Sequence, residues 1–300
     1  MTGEFPSTPK ILVPFQRASD DFDCQEIVVY LRPETNGVQT ESILFRVFRG
    51  AEWNSQVKLV YLANLPGEFL RKRQVVEKHY SLRLEFARKG AAMFTAAMRL
   101  TFQDFFGLPF ESAEVLGAYD ALKRLNLGAE ELFQLWVPAE DILELEGQLI
   151  KKVLGKLFVV NYDIPAVLEK NHAGTDLAAM VFRTPLSYQA FRPAVDAIRK
   201  ALVSEGLLAV ERAERRVFHW SKGPFEQLLD ASGHVYNVRD EPVSWDELSF
   251  GRYLLAKGWT NSRIEDCLER PFQFGENLLS NTNFATFEEA WKFVHQRSSR

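Results

Sequence analysis

The segment that most constrains this chain is Ile27-Val-Val-Tyr-Leu31, an unbroken apolar run followed by Arg32 and Pro33. A run this short, rich in β-branched and aromatic residues, predicts a buried strand, and Pro33 ends it. Over Gln39–Phe48 the apolar residues Ile43, Leu44, Val47 and Phe48 recur at helical spacing, and Gly50 supplies a stop. Val57–Leu62 then reads as a second buried strand. Strand, helix and strand in that order predict a βαβ unit with parallel pairing.

The same reading carries down the chain. Pro66–Phe106 is mostly helical, with alanines for propensity and a broad apolar face from Met93 to Phe106. Glu111–Leu125 and Ala139–Leu154 read as amphipathic helices. Strands are predicted at Lys156–Tyr162 and Leu177–Phe182, and a helix over Tyr188–Leu202. Glu26–Arg49 and Asp176–Leu202 echo each other: acidic residue, buried strand, arginine, proline-containing turn, helix. Ser244 with Glu247, and Thr286 with Glu289, form capping boxes ahead of C-terminal helices, and Asn261 or Ser262 starts a short helix through Leu268. The fold class expected is mixed α/β, built of βαβ-type units with a helix-rich middle and a helical C-terminal segment. Two lobes are expected, 1–155 and 156–300.

Hydrophobic residues make up 46% and charged residues 25%, which excludes a disordered or disulfide-stapled chain and leaves an ordinary globular one. Cys24 and Cys267 are the only cysteines and have no ligand-spaced neighbours, so neither a zinc site nor any other metal or cofactor is expected. With no basic-then-apolar leader and no long apolar stretch, a cytoplasmic location is expected. A net charge of −4 disfavours nucleic acid and anionic lipid as partners. The basic stretch Asn64–Gly90 and the acidic stretch Asp120–Ile150 read as solvated helix faces.

Phosphate loops of the GxxxxGK[ST] and GxGxxG types, HExxH, EF-hand loops and GxSxG elbows do not occur. Two Tyr-x-x-x-Lys spacings, Tyr119 to Lys123 and Tyr253 to Lys257, lack the glycine loop that should accompany them and are read as structural. No catalytic set stands out. The candidate ligand site is an anion clasp of Arg32 and Arg183 at strand ends, with Thr35 and Asn36 ahead of a helix N-terminus. A second candidate is His172 with Asp176, a proton carrier and its orienting carboxylate. His219-Trp220 and His234-Val-Tyr236, on expected strands, fit core or interface packing and a pocket equally well.

These features predict a non-catalytic binding or regulatory protein that works through protein partners or self-association. The alternatives are an enzyme or sensor for a small phosphorylated or carboxylated ligand, and a structural protein that assembles with itself.

Overall fold

The computed structural model describes residues 8–17, 22–172, 174–210, 217–273 and 276–297. Along the chain run β1 (Lys10–Val13), β2 (Gln25–Leu31), α1 (Val38–Phe48), β3 (Lys58–Pro66), α2 (Gly67–Lys72), α3 (Val75–His79), α4 (Ser81–Lys89) and α5 (Ala96–Phe106). Then come β4 (Glu114–Gly117), α6 (Ala118–Leu125), α7 (Ala129–Gln134), β5 (Ile142–Leu145), β6 (Gln148–Leu154), β7 (Leu157–Val160) and α8 (Ile164–Lys170). The last part holds β8 (Asp176–Thr184), α9 (Tyr188–Ser204), β9 (Phe218–Trp220), α10 (Pro224–His234), α11 (Ser249–Ala256), α12 (Asn261–Glu269), two two-residue strands, α13 (Leu278–Asn281) and α14 (Phe287–Arg297). The fold is mixed α/β. Among the described residues no helix is long and apolar enough to cross a membrane.

The chain divides into two compact units, neither of them continuous. Unit 1 comprises 1–75, 171–268 and 282–300; unit 2 comprises 76–170 and 269–281. The halves expected from sequence, 1–155 and 156–300, follow a different division. Residue 155 lies in the turn between β6 and β7, which pair in one sheet with Leu154 opposite Leu157.

Unit 1 is organised by a five-stranded sheet in the order β1-β3-β8-β2-β9. β8 is antiparallel to β2 on one side, with Glu26 opposite Arg183 and Tyr30 opposite Ala179, and antiparallel to β3 on the other. β2 and β3 are therefore parallel but separated by β8, which corrects the direct parallel pairing expected for this βαβ unit. A crossover helix fixes the relative direction of two strands but not their adjacency. β8 and β9 are related in the same way across β2. Two split βαβ units thus interleave as β9-β2-β8-β3, the ferredoxin-like arrangement. The two echoing segments of the sequence are the leading strand and helix of each unit.

Both faces of this sheet are covered, so its strands read as continuous apolar runs rather than alternating ones. On one face Phe182 packs against Phe48 of α1, and Trp220 against Phe191 of α9. On the other, Tyr30 meets His234 of α10, and Glu26 accepts a hydrogen bond from the Ser249 amide of α11 at 2.8 Å. Glu26 is fully buried, and the Arg183 guanidinium at 2.7 Å neutralises it.

Unit 2 carries a four-stranded sheet in the order β4-β7-β6-β5, with β4 and β7 parallel. Two expectations are corrected here. Glu111–Leu125 is not one helix but includes β4 and α6, and Ala139–Leu154 contains the β5–β6 hairpin. Its leucines and glutamates favour helix by propensity, yet Leu143 and Leu145 alternate inward and Glu146 and Gly147 take positive φ in the turn. Phe86, Phe94, Phe102, Phe110 and Phe158 form one side of the core, and Ala118, Ala121, Leu132 and Val159 the other. Asn161, fully buried with φ 52°, joins the parts: its amide donates to Arg83 O and Gln148 Oε1, and its oxygen accepts from Leu149 N.

The β3–α10 side of unit 1 holds a phenol pair. Tyr236 N donates to Tyr61 Oη at 3.1 Å, and Tyr236 Oη donates to Gly233 O at 2.9 Å. Burial pushes the Tyr61 phenol above the ordinary phenol range and Tyr236 from 10.0 up to about 12. In the unfolded chain these phenols lose their protons first, so the stability they contribute is complete below 10 and lost as pH rises toward 12. For Tyr236 alone this amounts to roughly 3 kcal/mol. Urea unfolding across that alkaline window should show the midpoint falling, and Tyr236→Phe should flatten the fall.

Candidate functional site

Helix α10 has the sequence Pro-Phe-Glu-Gln-Leu-Leu-Asp-Ala-Ser-Gly-His and begins at Pro224, where a missing amide hydrogen costs nothing. Glu226, Asp230 and His234 fall four residues apart and share one of its faces. Opposite them stand Tyr30 from β2 and His219 from β9, neighbours in register. Phe218 and Trp220, on either side of His219, turn to the other face of the sheet.

The contacts are close. His219 Nε2 lies 2.8 Å from Asp230 Oδ2 and 3.9 Å from Glu226 Oε1. Both imidazoles stack on the Tyr30 ring, His219 at 4.6 Å and His234 at 4.2 Å between centroids. His234 Nδ1 is 2.9 Å from the Asp230 carbonyl, which accepts only, so Nδ1 carries a proton. Glu226 Oε2 accepts from the Lys222 amide at 2.6 Å. The Arg32 guanidinium lies 5.6 Å from the centre of the Tyr30 ring. Asp230 is fully buried and Tyr30 and His234 nearly so; His219, Glu226 and Arg32 form the more open side.

Burial dominates the electrostatics. It pushes His219 down to about 3, opposed by Glu226 and reinforced by Arg32 and Lys222, and it pushes His234 down to about 4. It raises Asp230 well above the ordinary carboxyl range, against the pull of Lys222 and Arg32, and raises Glu226. The uncharged pair of imidazole and carboxylic acid is the form burial favours, and moving one proton across 2.8 Å makes the ion pair. Tyr188 and Gln227 are also fully buried, and among the described residues the Tyr188 hydroxyl and both Gln227 amide atoms have no hydrogen-bond partner.

The residues singled out from sequence are dispersed. Arg32 reaches the cluster just described. Thr35 serves the turn after it, donating to Val217 O at 2.7 Å. Asn36 and Asp176 do meet, through Asn36 Nδ2 to Asp176 Oδ1 at 2.8 Å, and Asn64 Nδ2 donates to the other carboxylate oxygen at 2.5 Å. This network closes on itself, since Asn36 Oδ1 accepts from Ala178 N. His172 is exposed, its carbonyl accepting from Thr175 N and Oγ1. Arg183 sits at the opposite end of the sheet from Arg32 because β2 and β8 are antiparallel. The clasp of Arg32 with Arg183 is therefore not formed.

The basic stretch is answered locally within each unit: Glu68 pairs with Arg71 and Lys72, Asp163 with Arg83, and Glu85 with Lys89. The Tyr253 hydroxyl donates to Glu288, whose carboxylate also holds Lys257 at 3.0 Å. Burial and Glu288 raise the Tyr253 phenol, the reverse of activation by the lysine. Glu226 and Asp230 escaped notice in the sequence. The available signal was a row of ionisable residues four apart on a short, otherwise apolar helix beginning with proline.

No protein-family model matches the chain, and neither does any curated protein or solved structure.

Keeping the Asp230 carboxyl out of water is costly, and removing its ability to ionise relieves that cost. Asp230→Asn, nearly the same size, should raise the stability of the ligand-free chain by about 1–2 kcal/mol. Chemical denaturation of the two proteins side by side measures the difference; a loss of stability would assign the carboxyl a structural role.

Proposed function

We propose that unit 1 binds a small phosphorylated or carboxylated ligand at the open side of the His219–Asp230 cluster. The observation that carries this reading is the company Arg32 keeps. A half-buried guanidinium stands over an aromatic ring, beside an imidazole–carboxyl pair enclosed at a cost to stability. Arg32 supplies bidentate hydrogen bonds and charge to the anion, Tyr30 holds both imidazoles in place, and His219 with Asp230 gives or takes one proton. The protein is read as acting in the cytoplasm, with no nucleic acid or membrane among its partners.

Thermal unfolding against sugar phosphates, nucleotides and carboxylates tests the reading, since a ligand at 100 times its Kd stabilises by about 2.7 kcal/mol. Arg32→Ala should fold normally and lose the shift. Arg183→Ala leaves Glu26 charged and buried, so it should cost about 3–5 kcal/mol while keeping the shift. Loss of the shift in Arg183→Ala alone, or no shift across the panel, counts against the proposal.

A second reading, contact with a protein partner or a second copy, is favoured by unit 2. Trp136 is 80% exposed and Leu154 74%. Lys151 of β6 donates through Nζ to Leu135 O, next to Trp136, and Leu154 is the last residue of the same strand. If these side chains form an interface, light scattering should show association at high concentration that Trp136→Ser with Leu154→Ser abolishes. A monomer throughout would refute it.

A further inference from the structure

We infer that the outer face of helix α1 carries a second ligand site, which takes a small molecule combining a flat ring with a phosphate or carboxylate group. It lies within unit 1 and shares no residue with the His219–Asp230 cluster, so it does not depend on that reading.

The helix divides its side chains by position. Ile43, Leu44 and Phe48 are buried, whereas Ser42, Phe45, Arg46 and Arg49 follow one another at helical spacing along the face turned away from them. With Gly50, those four residues line a cleft of about 480 Å³. Small-ligand sites usually span roughly 300–1,000 Å³. From Ser42 to Arg49 the stripe runs about 10 Å along the helix, long enough for one ring with an anionic substituent.

Each lining group contributes something different. The half-buried Phe45 offers an aromatic surface on which a ring can stack. Among the described residues neither the Arg49 guanidinium nor the Ser42 hydroxyl has a hydrogen-bond or ionic partner, so both are available to an anion. Arg46 already holds a carboxylate, with Nη2 2.7 Å from Glu205 Oε1. Glu205 thus occupies the place that a ligand's anionic group takes at Arg46. Both partners of this pair are exposed, and exposed ion pairs are weak, so an incoming anion displaces Glu205 at little cost. Guanidinium groups match carboxylate and phosphate through paired hydrogen bonds, which a lysine does not provide. The negative C-terminal end of α1 accounts for a cation at this position, but not for an aromatic ring set in a cleft beside two of them.

The full chain, isotope-labelled for nuclear magnetic resonance, is titrated with phenyl phosphate, benzoate and inorganic phosphate. Phenyl phosphate is expected to move the amide signals of Ser42, Phe45 and Gly50 and to bind more tightly than inorganic phosphate, which lacks the ring. Arg49→Ala, at an exposed position, should fold normally and weaken phenyl phosphate binding at least about tenfold. Phe45→Leu keeps the apolar bulk without the ring and should weaken it about two- to tenfold. Glu205→Gln removes the competing carboxylate and should tighten it up to about fivefold. Arg32→Ala should leave the response of these signals unchanged. No movement of the signals at millimolar ligand, equal binding of phenyl and inorganic phosphate, or unchanged affinity in folded Arg49→Ala overturns the site. Binding that is lost in Arg32→Ala and kept in Arg49→Ala overturns it too, and assigns the ligand to the cluster beside Tyr30.

Discussion

Strand β8 is hydrogen-bonded along both edges, to β2 and to β3, and the arrangement of unit 1 follows from that double pairing. Because it runs against both neighbours, it turns two βαβ segments into interleaved halves and puts Arg32 and Arg183 at opposite ends of the sheet. It also leaves one face to α1 and α9 and the other to α10 and α11, so every central strand is enclosed. The polar cluster exists because β9 then falls beside β2, setting His219 next to Tyr30 beneath α10.

Buried charge appears in unit 1 in two different conditions. At one end of β2, Glu26 meets a guanidinium and the amide and hydroxyl of Ser249, so its oxygens are well provided for. Near the other end, an acid pushed up and two imidazoles pushed down share a confined space. The first arrangement ties β2, β8 and α11 together. The second has more ionisable groups than packing needs, the condition expected where stability has been given up for chemistry.

Much of unit 1 could be read in the sequence, because Ile27–Leu31 and Leu177–Phe182 are too apolar and too short for anything but enclosed strands. The echo between the two halves was visible for the same reason. Strand order was not, since pairing depends on contacts far apart in sequence. The β5–β6 hairpin was hidden by residues whose local preference is helical and by a Glu-Gly turn that carries a weaker signal than Asn-Gly. Of the site, only Arg32 was legible as a candidate. His219 and His234 were visible but fitted packing and a pocket equally, because a histidine beside aromatic residues does not reveal which carboxylates the fold brings to it.

The last pair in the β3–β8 register is Pro66 with Asp176, so the chain leaves the sheet and rejoins it at the same place. Everything from Gly67 to Thr175, including most of unit 2, is spelled out between those partners. On the ribosome, at about 5–20 residues per second, β2 and β3 are therefore exposed for several seconds before β8 exists to pair with them. Two apolar strands with bare edges during that interval invite pairing with other chains, which makes the pace of synthesis, as much as the final contacts, a condition for reaching this fold.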